Sequence, residues 1–271
     1  MPTLLVNPER CTRCGRCSIV CPMAIVAPAT PDSLPLVKDE VAHRCIRCGH
    51  CEAFCPTQAL LLNVRPDEKT PLPAGAGTLA PDDLALYLKK RRTIRNFANS
   101  PVPRETILAL LDVARYAASG SNGQPVQWLV IHDSARVHEI AETTVAWMKT
   151  LPADHPMGSY LPKIIAGWDR GYDVICRGAP HLLVAHIPAG NPIAPVDAII
   201  ALTHVDIAAP AWGLGTCWAG FVAMAAAHHP PLQQVLGLPE GRKFAYALML
   251  GHPKYKISGI PRRNPLAVAW R

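Results

Sequence analysis

The sequence contains no apolar stretch near 18 residues that is free of charge, proline and polar clusters, so we expect no membrane-spanning segment. The opening residues, MPTLLVNPER, lack the apolar core of a secretory signal, and we therefore expect a cytoplasmic protein. Motifs of several enzyme classes are also missing, including the P-loop and the H-E-x-x-H zinc motif. What the chain does have in excess is cysteine, with ten residues of that type.

Eight of the ten cysteines form two copies of the pattern C-x2-C-x2-C-x3-C-P, offset by 34 residues. This is the ligand spacing of paired 4Fe-4S clusters in bacterial ferredoxins, where the fourth cysteine of each run ligates the other cluster. Arginine and glycine also match across the repeat, as Arg13 with Arg47 and Gly15 with Gly49. The resemblance assigns Cys11, Cys14, Cys17 and Cys55 to one cluster, and Cys45, Cys48, Cys51 and Cys21 to the other.

Zinc and disulfide bonds are the alternative uses of such cysteines. A zinc site needs four ligands, usually from two separated C-x2-C pairs, which leaves the third cysteine of each run without a role. Disulfides would need an oxidising compartment, whereas we expect a cytoplasmic protein. The spacing therefore favours two 4Fe-4S clusters over both alternatives.

A composition change divides the chain of 271 residues into two domains. We expect a ferredoxin-like two-cluster domain over residues 1–65 and a linker over residues 66–81, which are rich in proline and contain two glycines. Residues 82–271 alternate between helical and extended patterns, which predicts an α+β domain with a central sheet flanked by helices.

The predicted elements of that second domain follow from hydrophobic periodicity. Ile107, Leu110, Leu111 and Ala114, for example, recur at helical spacing. The predicted helices cover 82–92, 105–117, 135–149, 163–177 and a long stretch from about 196 to 213. The predicted strands cover 126–132, 181–187, 216–222 and 244–250.

Four segments of this domain, taken together, resemble the nitroreductase family of FMN flavoproteins. In order they read RRTIRNF at 91–97, ASGSNGQP at 118–125, GLGTCWAG at 213–220, and GHPK…IPRR at 251–263. Taken singly, each has a simpler explanation: a basic helix end, a polar turn, a buried aromatic strand and a basic tail. The third is not a dinucleotide fingerprint, because its glycines follow a helix and precede a strand.

The resemblance implies an FMN site with no catalytic side chain, because the flavin N5 atom carries the chemistry and the protein supplies binding and orientation. Guanidinium groups pair well with phosphate oxygens, which gives the arginines their role. Ala219 stands where several members of the family have an acidic residue, so the hydrogen-bond donor there would be a backbone N–H of Ala219 or Gly220. The implied FMN-binding residues are Arg91, Arg92, Thr93, Arg95, Ser119, Gly120, Asn122, Gln124, Trp218, Ala219, Gly220, Arg262 and Arg263.

The same resemblance implies a homodimer with FMN at the subunit interface. There the 119–122 loop approaches the flavin of the partner subunit, and the C-terminal tail reaches across. A lid over about 151–173, containing Tyr160, Trp168 and Tyr172, would cover the open face of the flavin. The formal charge of +7 does not indicate nucleic-acid binding, because two clusters of about −2 each and a flavin phosphate would offset most of it.

We therefore expect an iron–sulfur flavoprotein oxidoreductase that passes electrons from two clusters to FMN and on to a small electron-poor acceptor. Nitroaromatics, quinones and enones are the acceptor types implied. A reduced ferredoxin or flavodoxin is the hypothesised donor, and NAD(P)H is a possible one. Two alternatives remain: an electron-transfer relay for a partner protein, and a specialised flavin reaction such as reductive dehalogenation or flavin cleavage.

Other reactive side chains have structural explanations. Cys176 and Cys217 lack a paired spacing, and free cysteine is usually a small buried apolar residue. His181 starts a predicted strand, which favours a core position. The adjacent His228 and His229 precede two prolines and predict a surface turn.

Overall fold

The computed structural model describes residues 4–62, 72, 77 and 79–271, and these divide into two compact units. The first unit spans Met1–Thr78 and also takes in Ser121–Gly123. The second comprises Leu79–Gly120 and Gln124–Arg271. Most of the predicted linker over 66–81 lies outside the described residues.

The first unit consists of short elements around two cysteine-rich loops. Strand β1 (Leu4–Val6) pairs with β4 (Leu60–Leu62), and β2 (Val26–Ala27) pairs with β3 (Leu36–Val37), both antiparallel. The helices α1 (Arg16–Ile19), α2 (Asp39–Ala42) and α3 (His50–Ala53) have one turn each. Buried Cys17, Ile25, Val26 and Leu60 form a small core with the partly buried Cys21, Cys45, Cys51 and Cys55 packed against it. A core this small is where a bound metal centre adds most to stability.

The sequence repeat is also a repeat of backbone conformation. Arg13 and Arg47 both have φ of 55°, and Gly15 and Gly49 have φ of 73° and 70°. Left-handed backbone is uncommon for a residue with a side chain, so its recurrence 34 residues apart shows that both loops take the same path. A third matched pair, Ala24 (50°) and Gln58 (54°), extends the repeat beyond the fourth cysteine of each run.

The second unit is built on a four-stranded antiparallel sheet in the order β5-β6-β8-β7, among the described residues. The strands are β5 (Gln127–Ile131), β6 (His181–Pro188), β7 (Gly215–Trp218) and β8 (Arg242–Gly251). The central strands β6 and β8 have continuous apolar runs because both of their faces are covered.

Helices cover both faces of this sheet and form two cores. Along β6, Leu182 and Val184 face one core, whereas Leu183 and Ala185 face the other, as the two-residue period of a strand requires. The first core also takes residues of α6 (Ser134–Lys149), α9 (Gly220–His228) and α10 (Pro230–Leu236). The second takes residues of α5 (Arg104–Ala114) and α8 (Ala194–Ala208), and the remaining helices are α4 (Pro81–Lys90) and α7 (Leu161–Asp169). The predicted α+β class is confirmed.

One helical stretch of the described residues, Ala194–Trp212, is long and apolar enough to cross a membrane by length and composition alone. It comprises α8 and the 3-10 turn that follows. Ala198, Leu202 and Val205 are fully buried in the second core, and the helix also buries Asp197 and Asp206. These contacts assign α8 to the core of the second unit.

Two predicted elements are wrong in their bounds. The helix predicted over 163–177 ends at Asp169, since Gly171 has φ of 84° and the Asp173 carboxylate accepts backbone N–H groups of the turn that follows. The strand predicted over 216–222 ends at Trp218, because Gly220 opens α9. Almost every residue of α9 is apolar, so no periodicity could distinguish this helix from a buried strand.

His181 lies in the core, as predicted. The Val102 N–H donates to His181 Nε2 at 2.7 Å, and His181 Nδ1 donates to the His132 carbonyl at 2.9 Å. The His132 Nε2 atom lies 2.8 Å from the Val102 carbonyl, and the two imidazole rings stack at 4.2 Å. This arrangement needs a neutral His181, because protonation of Nε2 would leave the Val102 N–H without an acceptor.

Acidification should destabilise the fold through His181. Burial and the neighbouring His132 lower the pKa of His181 below its ordinary value of 6.5. The unfolded chain then binds the proton more readily, so this contribution to stability is complete above pH 6.5 and is lost as the pH falls through the folded pKa. Thermal unfolding at about pH 8 and about pH 5 should show a smaller loss in a His181→Asn variant than in the wild type. An equal loss in both proteins would contradict this assignment.

Candidate functional site

The first cysteine-lined cavity of the first unit brings together residues from both runs. Its lining includes Cys11, Cys14 and Cys17 of the first run and Cys55 of the second. These are the four cysteines that the sequence pattern assigns to one cluster. The Cys55 sulfur also accepts the Ala59 N–H at 3.2 Å, a bond of the kind that tunes the potential of an iron–sulfur centre.

The second cysteine-lined cavity has the complementary set. Cys45, Cys48 and Cys51 line it together with Cys21, which comes from the first run. Its walls are otherwise mainly apolar, including Leu4, Ile25 and other aliphatic side chains. Each cavity thus has three cysteines from one run and the fourth from the other.

The chemistry of this donor set fits a cubane better than a single ion. Among the residues that the structure describes, no group of three or more His, Cys, Asp or Glu side chains is arranged to hold one metal ion. In a 4Fe-4S cubane each iron takes its own thiolate, so the four sulfurs surround a body rather than converge on a point. Four cysteines spread around a cavity are what such a body requires.

The pKa values of the cysteine thiols indicate how easily each thiol can lose its proton to a metal. Burial raises the pKa of Cys51 to about 11, so this group is a neutral thiol near pH 7 until a metal displaces its proton. A hydrogen bond from the Arg16 backbone lowers the pKa of Cys14. Burial acts to raise the pKa of Cys55, but hydrogen bonds from Thr57 and Ala59 outweigh it, and the net shift is downward. The loops therefore make deprotonation easier at two of the eight cysteines.

In the second unit, the arginine-rich segment 91–98 runs beside the sheet. The Ile94 N–H donates to the Thr216 carbonyl at 2.8 Å, and the Ala98 N–H donates to the His252 carbonyl at 2.8 Å. Gly215 permits this approach, since a Cβ there would lie 2.3 Å from Ile94 Cγ1. Strand β7 and the residues after β8 thus hold the segment in place.

A buried carboxylate that sequence reasoning did not single out organises this region. Asp206 lies near the end of α8 and accepts hydrogen bonds from the Thr216 hydroxyl and, at 3.2 Å, from Trp218 Nε1. Its Oδ1 atom also lies 3.4 Å from Arg91 Nη1. Asp206 therefore fixes one predicted phosphate ligand, Arg91, and the orientation of the Trp218 indole.

Arg92 has a buried side-chain donor that forms no hydrogen bond with the described residues. Its Nη2 atom donates to the Lys89 carbonyl, whereas its Nε atom is buried and has no hydrogen-bond partner among the described residues. A buried donor without an acceptor costs free energy unless a ligand supplies one. Thr93 is partly buried next to it in the chain, so two of the predicted phosphate ligands are adjacent.

A separate cavity of about 270 Å³ lies beside the end of β7. Arg95 and Arg177 are its charged lining residues, and neither has an ion pair or hydrogen bond with any other described residue. Gly220 also lines it and opens α9, so its N–H has no acceptor within that helix. The Ala219 N–H, by contrast, donates to the Ala247 carbonyl at 3.0 Å and is not free to meet a ligand. The other lining residues are Val174, Ile175, Cys217, Trp218, Phe221, Met224 and Met249.

Residues 119–124 do not line the cavity that contains Arg95. Ser119 and Gln124 line an open groove of about 880 Å³ whose walls come from α5, β5 and α8. Ser119 Oγ accepts the Gln124 N–H at 3.0 Å, and the Gly120 N–H donates to buried Asp197 at 3.0 Å. Asn122 belongs to the first unit, in which its Nδ2 atom donates to the carbonyls of residues 46 and 47 at 3.1 and 3.0 Å.

The remaining predicted residues lie in exposed or core positions. Arg262 and Arg263 are exposed in the segment after β8, where residues 254–271 form no helix or strand. Within the predicted lid, Tyr160 and Tyr172 are exposed, whereas Trp168 stacks on His138 at 5.0 Å and packs against the first core. Cys176 and Cys217 are both buried, His228 is the last residue of α9, and His229 lies between α9 and α10.

Two family models match separate parts of the chain. Residues 88–252 match the model of the nitroreductase family, and residues 10–60 match the model of a 4Fe-4S dicluster domain. The first match covers the 91–98 segment and both cavities of the second unit. The second covers all eight cysteines of the two runs.

Individual relatives are distant. FMN reductase [NAD(P)H] of Bacillus subtilis is 26% identical over 67% of this chain and 70% of its own length. Iodotyrosine deiodinase of Thermotoga neapolitana is 23% identical over 65% of this chain and 91% of its own length. Among solved structures, a nitroreductase from Bacteroides fragilis with bound FMN superposes with a TM-score of 0.59 at 18% identity, covering 70% of this chain and 99% of that one. This structural likeness shows the fold of the second unit.

Proposed function

The chain belongs to the nitroreductase family, and on that premise we propose that it is an iron–sulfur flavoprotein that delivers electrons to a small electron-poor acceptor. The observation that supports the proposal is the set of ligand-binding groups that one chain contains. It combines two cavities with four cysteines each and an apolar cavity whose charged residues are two unpaired arginines.

The cysteine cavities support a specific ligand assignment. Cys11, Cys14, Cys17 and Cys55 would hold one 4Fe-4S cluster, and Cys45, Cys48, Cys51 and Cys21 the other. When bound, the clusters supply single-electron chemistry. The apolar packing around the second set limits solvent access, which is one of the factors that set the potential of a cluster.

The FMN assignment rests on complementary groups. Arg92 offers a buried Nε donor, Arg91 is held by Asp206, and Thr93 adds a hydroxyl, so this segment is suited to a phosphate. Arg95 and the Gly220 N–H would face the ring in the apolar cavity. When bound, FMN supplies hydride or electron transfer at N5. Trp218 would contact the flavin from a position fixed by Asp206, and Ala219 contributes only its position at the start of α9.

The remaining predicted FMN ligands fit a homodimer. Ser119, Gly120, Asn122 and Gln124 do not line the cavity of Arg95, and Arg262 and Arg263 lie in an exposed tail. In a dimer with FMN at the interface, these residues would reach the flavin of the partner subunit. Exposed apolar side chains support such an interface, namely Leu84, Leu86 and Leu88 on α4 and Val196, Ile199 and Ile207 on α8 or at its end.

We infer the type of electron donor from the presence of the two clusters. Two one-electron carriers are of use when the donor is itself a one-electron protein, so we propose reduced ferredoxin or flavodoxin as the donor. NAD(P)H remains the alternative, and it is part of the name of the Bacillus subtilis relative. The acceptor would be a nitroaromatic, quinone or enone, and the site of reaction the cytoplasm.

Anaerobic purification followed by an acceptor screen tests the proposal. About eight irons, about eight sulfides and one FMN per chain are expected. With a reduced ferredoxin as donor, the protein should turn over at least one class of small acceptor. Rapid reduction of partner proteins without turnover of any small molecule would favour the relay alternative instead. Halogenated phenols belong in the screen because the Thermotoga neapolitana relative is a deiodinase.

A further inference from the structure

Arg177 occupies a conformation that is costly for arginine. Its φ is 61°, in the left-handed region where glycine or asparagine would be favoured. The turn around it is held by Asp173, whose carboxylate accepts the N–H groups of Ile175, Cys176 and Gly178 at 2.8–3.0 Å. Residues kept in strained backbone regions are concentrated at functional sites, so the reason for this arginine should be sought in its side chain.

The turn is anchored in the core by the two residues that precede Arg177. Ile175 is 1% exposed and Cys176 is fully buried, and both belong to the first core. The backbone that carries Arg177 is therefore fixed before any ligand arrives. A cationic side chain on a fixed backbone loses little conformational entropy when it binds an anion.

The Arg177 side chain lines the same cavity as Arg95. No described carboxylate neutralises either guanidinium: Asp173 is occupied by backbone N–H groups, and Asp206 is paired with Arg91, Thr216 and Trp218. The pKa of the Cys217 thiol, which lines the same cavity, responds to the charges of both arginines. Burial raises the pKa of Cys217, and Arg95 and Arg177 oppose that rise. The cavity thus has an excess of positive charge, from exposed Arg95 and half-buried Arg177, beside mainly apolar walls.

We propose that Arg177 is a positioning and electrostatic residue that raises the reduction potential of the flavin in this cavity. The inference rests on the proposed function, since it requires FMN in the cavity of Arg95 and Gly220. When the ring takes up two electrons and one proton from a reductant, it gains one negative charge. A nearby guanidinium in an apolar cavity stabilises that charge more than the neutral oxidised ring. Sequence reasoning missed Arg177 because it lies within a segment predicted to be helical.

A charge series at position 177 tests the role in the holoprotein. In Arg177→Gln the reduced flavin should bind about tenfold more weakly relative to the oxidised flavin, which lowers the two-electron potential by about 30 mV. Arg177→Lys keeps the charge and the same backbone cost, so its potential should remain close to the wild-type value. Arg170→Gln removes an exposed cation from the same region outside the cavity and should leave the potential unchanged.

The measurements are spectroelectrochemical titration of the flavin band with a reference dye, and the Kd of oxidised FMN. An unchanged potential in Arg177→Gln would overturn the inference and leave the proposed function standing. Equal weakening of oxidised and reduced FMN would also overturn it, because the residue would then bind a group, such as the phosphate, whose charge does not change. A wild-type protein that binds no FMN would overturn both the inference and the proposed function.

Discussion

Replacing Cys55 by alanine should remove the cluster whose other ligands are Cys11, Cys14 and Cys17. The iron content should fall from about eight to about four per chain. The EPR spectrum of the reduced protein should then retain the signal of the other cluster. The physical reason is that each cubane needs four thiolates, and Cys55 lines the cavity of the first run rather than that of its own.

Paired variants make this test specific. Cys55→Ala and Cys14→Ala should leave the same remaining signal, and Cys21→Ala and Cys48→Ala should leave the other one. Grouping of Cys21 with Cys14, and of Cys55 with Cys48, would contradict the exchange of ligands. Cys176→Ala is a matched control, because this buried cysteine lies in the second unit and lines neither cysteine cavity.

Replacing Arg92 by glutamine should weaken FMN binding by about thirtyfold, or about 2 kcal/mol. The loss arises because the buried Nε atom has no acceptor in the part of the chain that the structure describes, and a phosphate oxygen would supply one. The stability of the protein without flavin should change little, since the substitution removes an unsatisfied buried donor together with the hydrogen bond from Arg92 Nη2 to the Lys89 carbonyl. Fluorescence titration of FMN and thermal unfolding of the flavin-free protein measure the two quantities.

Arg104→Gln provides the matched control for this second prediction. Arg104 is an exposed arginine at the start of α5, so the variant removes one positive charge from the same unit. Its FMN affinity should be close to the wild-type value. An equal loss in Arg92→Gln and Arg104→Gln would show that overall charge, rather than a specific phosphate contact, governs binding.

The cysteine loops show what the sequence could predict. Ligand spacing determines which cysteines can reach one cubane, and the matched glycines at 15 and 49 have the left-handed backbone that such loops require. The left-handed backbone of the equivalent pair, Ala24 and Gln58, could not be predicted from the sequence, because neither residue type favours that conformation. Their backbone is set by the surrounding structure and not by local preference.

Asp206 and Arg177 show what the sequence could not predict. Asp206 lies on a mainly apolar helix, and its partners Arg91 and Trp218 belong to other elements of the fold. The sequence predicts a helix over 163–177, which includes Arg177, whereas the Asp173 carboxylate accepts backbone N–H groups and forms a turn there. Both roles depend on tertiary contacts that no local pattern encodes.

The most direct test of the central claim, that electrons reach the flavin through the clusters, is anaerobic stopped-flow reduction of the FMN-loaded protein. Reduced ferredoxin should bleach the flavin band rapidly in the wild type and far more slowly in a Cys14→Ala/Cys48→Ala variant that still binds FMN. Reduction of that variant at the wild-type rate, by ferredoxin or by NADPH alone, would contradict the claim.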